Sequence, residues 1–410
     1  MKFYIYTLGC KVNAYESEVM KEKLLANGYI YDEEHPDIVI VNTCSVTNMA
    51  DNKSKKMVRH FKKLFPKSKI VVAGCSTENK EKEYSNMDID ILIGNVKKSE
   101  IVELLKEDNY KYFAHTRKLP FEDMTINSFT THNRAFIKIE DGCDNFCSYC
   151  IIPFTRGSIR SKDFEKVISE VKTLVEHGHK EIVLTGIHTG SYNSEGKDLT
   201  DVIHEISKID GLERIRISSI EATELNDKFL EELKVNSKIC NHLHIPIQSG
   251  SNTILKSMKR KYTLDEYEKI IDKVRNVRPN ISISTDLIVG FPGESEELFK
   301  ETLDTLNRIK FSKIHVFPYS KRDGTAAALM PNQIDETIKK DRSRVVFELS
   351  SKFEEEYAIK FIGSEIEVLV ETGNIGTSSN YLKVLLNDNF KVNSIVKVIP
   401  KEYSDGLLKI

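Results

Sequence analysis

Three cysteines stand close together in the stretch DGCDNFCSYC, at Cys143, Cys147 and Cys150. A thiolate is both a nucleophile and a metal ligand. The C-x3-C-x2-C spacing differs from that of a structural zinc site, which takes paired C-x2-C units or a Cys/His set supplying four ligands. No histidine lies between residues 133 and 176 to complete such a set. Iron–sulfur clusters are held by thiolates, normally four. Three thiolates on a four-iron cluster leave one iron open, so the missing ligand makes room for a substrate or cofactor.

A second triple emerges only when the elements are read. Cys10 closes KFYIYTLGC, Cys44 closes DIVIVNTC and Cys75 closes KIVVAGC. Each apolar run reads as a buried parallel strand followed by a helical segment, as in an open α/β sheet. Ligands bind such sheets at the carboxyl ends of the strands. Neighbouring strands lie about 4.8 Å apart, so three strand ends could bring three thiolates together. The bland alternative for each cysteine is a small buried hydrophobe. That reading is kept for Cys240, which stands alone before the apolar run NHLHIPI.

The elements that position these residues fall into three parts. Residues 1–112 alternate strand-like and helix-like segments, and Gly28 falls where a helix C-cap is wanted. Residues 111–133 lose periodicity, are polar, contain Pro120 and read as a linker. Residues 129–358 form a second unit. Its strand candidates are RAFIKIE, EIVLTGI, RIRISS, NHLHIPI, ISISTDLIV and KIHVFP, with helical stretches between them and a charged helical pattern over 331–359. Six units fall short of the eight of a closed barrel, so a (β/α)6 partial barrel is expected. Residues 359–410 carry SEIEVLVETG, YLKVLLND and SIVKVIP, short strands of a small β-barrel. The fold class is thus α/β: an open parallel sheet, a partial barrel and a terminal β-domain.

Composition bounds the rest. The chain has 410 residues, 30% of them charged, and a net charge of −2, so any nucleic-acid surface must be a local basic patch. Lys53, Lys55, Lys56, Arg59, Lys62 and Lys63 form one candidate patch, Lys256, Lys259, Arg260 and Lys261 a second, and Arg156 with Arg160 a third. No apolar run approaches the roughly 20 residues needed to span a bilayer, and the N-terminus lacks the apolar core of a signal peptide. A cytoplasmic protein with no membrane partner is expected, in which grouped cysteines mean metal or catalysis and not disulfides.

The C-x3-C-x2-C run, with Tyr149 before its last cysteine, resembles the signature of radical S-adenosylmethionine enzymes. TLGCKVN, NTCSVT, AGC, GCDNFCSYCIIPFTRG, HIPIQSGS, VGFPGE and YSKRDGT together resemble the methylthiotransferases, over nearly the whole chain. TLGCKVN with TGIHTGSY resembles the branch that modifies N6-threonylcarbamoyladenosine in tRNA. Sibling branches act on N6-isopentenyladenosine or on a ribosomal-protein aspartate, and a non-catalytic metal- and RNA-binding protein is the alternative of another class.

The resemblance implies two 4Fe-4S clusters, one on Cys143, Cys147 and Cys150 and an auxiliary one on Cys10, Cys44 and Cys75. It implies S-adenosylmethionine both as methyl source and as radical source, with a methylthio group added at C2 of adenosine 37. It also implies an electron donor and a sulfur donor. Candidate S-adenosylmethionine contacts are Tyr149, Gly186, Ser219, Gln248 and Gly290, with His188, Ser218 and Glu221 beside them. The TGIHTGS run lacks the glutamate that many radical enzymes place there to meet the methionyl amino group, so backbone near Gly186 or another group must serve. The last 60 residues resemble a TRAM domain, yet residues 351–410 hold seven lysines against nine acidic residues, an unusual balance for an RNA clamp. The cofactors carry the difficult chemistry, so no catalytic side chain beyond them is expected.

Overall fold

KFYIYT, IVIVNT and KIVVAG are rich in β-branched and aromatic residues, which suit a pleated, buried surface. Each is a strand in the computed structural model, which describes residues 1–114, 117–130, 132–387 and 390–410. The linker expected over 111–133 includes His115, Thr116 and Thr131, and the run YLKVLLND ends at Asp388; these four lie outside the described residues.

The first sheet contains β1 (Lys2–Thr7), β2 (Ile30–Tyr31), β3 (Ile38–Thr43), β4 (Lys69–Gly74), β5 (Ile91–Ile93) and β6 (Tyr110–Tyr112), in the order β2-β1-β3-β4-β5-β6. All pairings are parallel. The three strands that precede Cys10, Cys44 and Cys75 are adjacent, with Thr7 opposite Asn42 and Thr43 opposite Gly74. One apolar face of the sheet packs on helix α1 (Lys11–Ala26) through Met20 and Leu24, the other on α2 (Asn48–Leu64) through Val58 and Phe61.

Six further parallel strands follow: β7 (Ala135–Lys138), β8 (Glu181–Thr185), β9 (Arg214–Ile217), β10 (His242–His244), β11 (Ser282–Val289) and β12 (Lys313–Pro318). They form two three-stranded sheets, β9-β8-β7 and β10-β11-β12. A parallel bridge from Ile215 to Ile239 and the bond from the Cys240 N–H to the Ile215 carbonyl join β9 to the approach of β10. The six strands therefore run in chain order with β7 and β12 at the open edges, and α1 packs against β7.

The segment before β7 is not simply a solvated connection. Met124, Ile126 and Phe129 are buried in the barrel core, and the backbone around them is held by Glu170 and by His179. Polar composition concealed these three anchors.

A long helix, α3 (Glu336–Ala358), crosses β12 and leads to a six-stranded, mainly antiparallel sheet over residues 366–409. Its inward residues, including Val368, Val384 and Leu408, share one core. This sheet covers the amino ends of the barrel strands: Arg214 and Arg216 donate to the carbonyls of Thr377, Ser378 and Ser379, and Tyr381 stacks on His242 with ring centroids 4.6 Å apart. No helix among the described residues is long and apolar enough to cross a membrane.

Candidate functional site

Cys10, Cys44 and Cys75 each leave the end of a strand in the same direction. Cys10 caps α1, Cys44 directly follows β3, and Cys75 directly follows β4. Asn13 fixes their relative height, since its amide donates to the Leu8 carbonyl at 2.7 Å and to the Thr43 carbonyl at 2.8 Å. Gly9 adopts φ +109, and a Cβ there would stand 2.9 Å from the Cys44 sulfur, so only glycine lets the first loop pass the second thiol. The three thiols lie within electrostatic reach of one another. Burial, followed by Cys75, pushes the Cys44 thiol up to about 12.

The second triple lies in the loop after β7. The Cys147 sulfur accepts from Arg260 at 3.4 Å, and the Cys143 sulfur accepts from the Asn145 N–H at 3.4 Å. Ser148 is locked between them and the 257–258 turn, its hydroxyl donating to the Ser257 carbonyl and its N–H to that of Met258. Burial, with Cys147 and Cys143 adding, pushes the Cys150 thiol up to about 12.

A cavity joins the two regions. Tyr149, Cys150, Gln248 and Tyr319 line it from the barrel, Val46 and Thr47 from the loop just after Cys44. Its volume, about 200 Å³, is smaller than the roughly 300–1,000 Å³ of ordinary small-molecule sites. The Tyr319 hydroxyl is buried with no hydrogen-bond partner among the described residues, a polar atom at the cavity wall.

Of the residues proposed from sequence as ligand contacts, Tyr149 and Gln248 line this cavity. Gln248 holds φ +65, rare outside glycine, because its carbonyl and N–H are both engaged with the end of β11. Ser219 is half-buried at the end of β9, and Glu221 beyond it is paired with Arg260. Gly290 lies apart from the cavity; a Cβ there would meet Lys339 of α3 at 2.3 Å, and its N–H goes to Glu294. Cys240 is a buried core thiol.

The basic groups divide. Lys53, Lys56, Arg59 and Lys63 are exposed along α2, whereas Lys55 and Lys62 are held by Glu83 and Asp88. Lys256, Lys259 and Lys261 are exposed and Arg260 is not free. The expectation that Arg156 and Arg160 form a phosphate patch is overturned. Both are buried and committed to internal carboxylates, Arg156 to Glu16 and Asp141 at 3.0 Å and Arg160 to Asp141 at 2.8 Å.

Residues 2–94 match the model described as uncharacterized protein family UPF0004, and residues 137–306 match the radical SAM superfamily. The threonylcarbamoyladenosine tRNA methylthiotransferase MtaB of Bacillus subtilis (strain 168) is 39% identical over 99% of this chain and 91% of its own. The chain belongs to the radical S-adenosylmethionine methylthiotransferases. A second relative bearing the MtaB name, from Aquifex aeolicus, is 36% identical over 97% of this methylthiotransferase and the full length of its own chain. The tRNA-2-methylthio-N6-dimethylallyladenosine synthase of Thermoanaerobacter sp. (strain X514) is 38% identical over 99% and 88% of the two chains. Among solved structures, the radical S-adenosylmethionine methyltransferase TsrM from Kitasatospora setae superimposes with a TM-score of 0.55 at 14% identity, covering 77% and 74% of the two chains. The cobalamin-dependent radical enzyme OxsB gives 0.54 at 13% identity, over 88% and 56%. These two establish the likeness of fold alone.

The family's cofactors are S-adenosylmethionine and two four-iron clusters. The residues of this methylthiotransferase fit them. Both donor sets are all-thiol, and the glycine cradle beside Cys44 keeps space at the first. Among the described residues no three His, Cys, Asp or Glu side chains converge on a single ion position.

Sequence reasoning missed two residues here, Glu140 and Arg322, and misassigned a third, Arg156. Glu140, two residues beyond β7, places a buried carboxylate beside the TGIHTGS loop. It abuts Gly186, where a Cβ would stand 2.7 Å from Oε2, and accepts the His188 N–H at 2.6 Å. Burial raises it to about 8. Arg322, within YSKRDGT, donates to Ser45 and Asn48 and so clamps the loop after Cys44 onto the barrel. Arg156, within IIPFTRG, reaches across to Cys75, its Nε 3.2 Å from the sulfur. A family-like motif marked the last two positions, but neither motif says that its arginine faces another part of the chain.

Proposed function

We propose that this protein adds a methylthio group to C2 of N6-threonylcarbamoyladenosine at position 37 of tRNA. The observation that supports this reading is one cavity lined by Cys150 of the second triple and by Val46 and Thr47, which directly follow Cys44 and Ser45 of the first, with each triple at the carboxyl ends of parallel strands. The curated relatives of that name, together with TLGCKVN and TGIHTGSY, favour the threonylcarbamoyl substrate. The dimethylallyladenosine synthase, of near-equal identity, makes N6-isopentenyladenosine the second reading.

In the proposed arrangement Cys143, Cys147 and Cys150 hold the cluster that meets S-adenosylmethionine, and Cys10, Cys44 and Cys75 hold the auxiliary one. When bound, these groups supply the radical, the methyl group and the sulfur. The chain's own residues position and enclose them. Arg260 donates to Cys147 and is itself held by Glu221. Tyr149 and Gln248 offer an aromatic face and an amide to the cofactor, Ser219 and the Gly186 backbone lie on the neighbouring rim, and Glu140 holds the loop at Gly186–His188. Gly290, outside the cavity and packed on Lys339, would only shape the turn after β11. Residues 1–112, 129–358 and 359–410 would then be the auxiliary-cluster, radical and TRAM-like domains. Exposed Lys53, Lys56, Arg59 and Lys63 of α2 would follow the tRNA backbone, and separate electron and sulfur donors would complete the cycle.

Nucleoside mass spectrometry of tRNA from a deletion strain tests the substrate. Loss of only the 2-methylthio form of N6-threonylcarbamoyladenosine, restored by the gene, is expected; loss of the isopentenyl counterpart instead would transfer the protein to the sibling branch. Cys44→Ala should retain reductive cleavage of S-adenosylmethionine and lose methylthio transfer, while Cys150→Ala should lose both. Equal loss of cleavage in the two variants refutes the division of roles.

A further inference from the structure

A buried charge network reaches the sulfur of Cys75, and it is not neutral. Glu16 of α1 accepts from Arg156 at 3.0 Å, from Lys138 at 2.9 Å and from Lys98. Asp141 accepts from Arg156 at 3.0 Å, from Arg160 at 2.8 Å and from Lys138 at 3.2 Å. Four cations thus surround two carboxylates, and all six side chains are at most 9% exposed. Glu122 lies further out, near Lys138, and is bonded to Ser99. Even with Glu122 ionised, positive charge exceeds negative. A surplus buried charge is costly unless an anion answers it.

The geometry shows where that anion belongs. The guanidinium of Arg156 spends Nη1 on the two carboxylates and Nη2 on the Asn13 side-chain oxygen at 2.8 Å, and turns its remaining Nε–H onto the Cys75 sulfur at 3.2 Å. Asn13 is the residue that ties the Cys10 loop to the end of β3. One side chain from the barrel therefore touches the sulfur of the auxiliary triple, the residue that sets the triple's spacing, and the carboxylate three positions after Lys138.

We infer that Arg156 is a positioning residue for the auxiliary centre, acting as the counter-charge of its thiolates and as the rigid tie between the two triples. It rests on the proposed assignment of an auxiliary cluster to Cys10, Cys44 and Cys75. Hydrogen bonds to the sulfurs and local net charge are main determinants of a cluster's reduction potential. A cation donating to Cys75 favours the more negative, reduced state and so raises that potential.

Removing Arg156 leaves Lys98, Lys138 and Arg160 on Glu16 and Asp141, so no carboxylate is stranded. The test uses full-length protein carrying Cys143→Ala, Cys147→Ala and Cys150→Ala, reconstituted anaerobically so that only the auxiliary cluster is present. Its potential is read by EPR-monitored redox titration, and its occupancy by iron and sulfide analysis. Arg156→Gln is expected to shift the potential to more negative values. Arg156→Lys, which keeps the charge, should restore most of the shift. Lys98→Gln, which removes a charge of the same network without touching sulfur, should shift it in the same direction by less, and decides the matter if Arg156→Gln does not accumulate as folded protein. An unchanged potential in folded, iron-replete Arg156→Gln, or in Lys98→Gln in its place, overturns the inference. Absence of any cluster from the parent protein instead overturns the auxiliary-cluster reading itself.

Discussion

Arg322 and Asp51 face each other across the boundary between the first sheet and the barrel, 2.6 Å apart, with each side chain 3% exposed. The same guanidinium holds the Ser45 carbonyl and the Asn48 side chain. The loop that carries Cys44 is thus fastened by a charge arising nearly three hundred residues later. Removing one partner of a buried ion pair strands the other and costs about 3–5 kcal/mol. Arg322→Ala should therefore lower the denaturation midpoint markedly, and Arg322→Gln with Asp51→Asn should recover part of the loss. A double-mutant cycle in chemical denaturation measures the coupling. Additive effects would show that the pair is not an energetic link.

Gly9 gives a second, more local test. A methyl group at that position would stand 2.8 Å from the Cys44 Cβ and 2.9 Å from its sulfur, on a backbone whose φ of +109 resists any side chain. Gly9→Ala should displace Cys44 and empty the auxiliary site. Iron and sulfide per chain should fall by about half, since two four-iron clusters become one. Reductive cleavage of S-adenosylmethionine should persist. Full iron content in a folded Gly9→Ala protein would mean that Cys44 is not a ligand of the auxiliary cluster.

The adjacent strand ends before Cys10, Cys44 and Cys75 were legible in the sequence, because strand ends are marked by composition. KFYIYTLGC, DIVIVNTC and KIVVAGC announce both the strand and the point where it stops, and parallel pairing of neighbours does the rest. The six barrel strands were legible for the same reason. What stayed hidden depends on side chains meeting across distant segments. Arg156 and Arg160 follow the radical motif and look, by composition, like a phosphate patch. Only the fold brings Glu16 and Asp141 to them. Glu140 could not be recognised as the carboxylate beside Gly186, because β7 and β8 are forty residues apart and register is set by packing. Met124, Ile126 and Phe129 were lost in a polar, aperiodic stretch, since three isolated apolar residues carry no period.

His242 lies at the amino end of β10, buried against Tyr381 and bonded to Ser284. Burial, aided by Arg216, His244, Lys11 and His315, holds its pKa well below the usual value. His179 is lowered in the same direction, mainly by burial. A histidine depressed in the folded state binds fewer protons than in the unfolded chain, between its folded pKa and the ordinary value of about 6.5. Stability is therefore fully present above about pH 6.5 and declines as pH falls below it. His242→Gln should flatten this decline, read as the denaturation midpoint between pH 5 and 7.5. A wild-type midpoint that does not fall toward pH 5 would contradict the assignment.

The exposed face of α2 offers the test of tRNA engagement. Lys53, Lys56, Arg59 and Lys63 point to solvent on the helix that begins just after Cys44 and beside the cavity. Phosphate contacts release counterions, so each one lost weakens binding and reduces the slope of log affinity against log salt by about 0.7–0.9. Lys56→Glu with Arg59→Glu should weaken tRNA binding by more than about tenfold at low salt and flatten that slope. Arg160→Gln, which changes a buried residue, should leave the slope unaltered even where it lowers stability. The salt series also separates two origins of affinity: an unaltered slope in the α2 variant would move the RNA surface to Lys256, Lys259 and Lys261 beside the 257–258 turn, where the same substitution can be made.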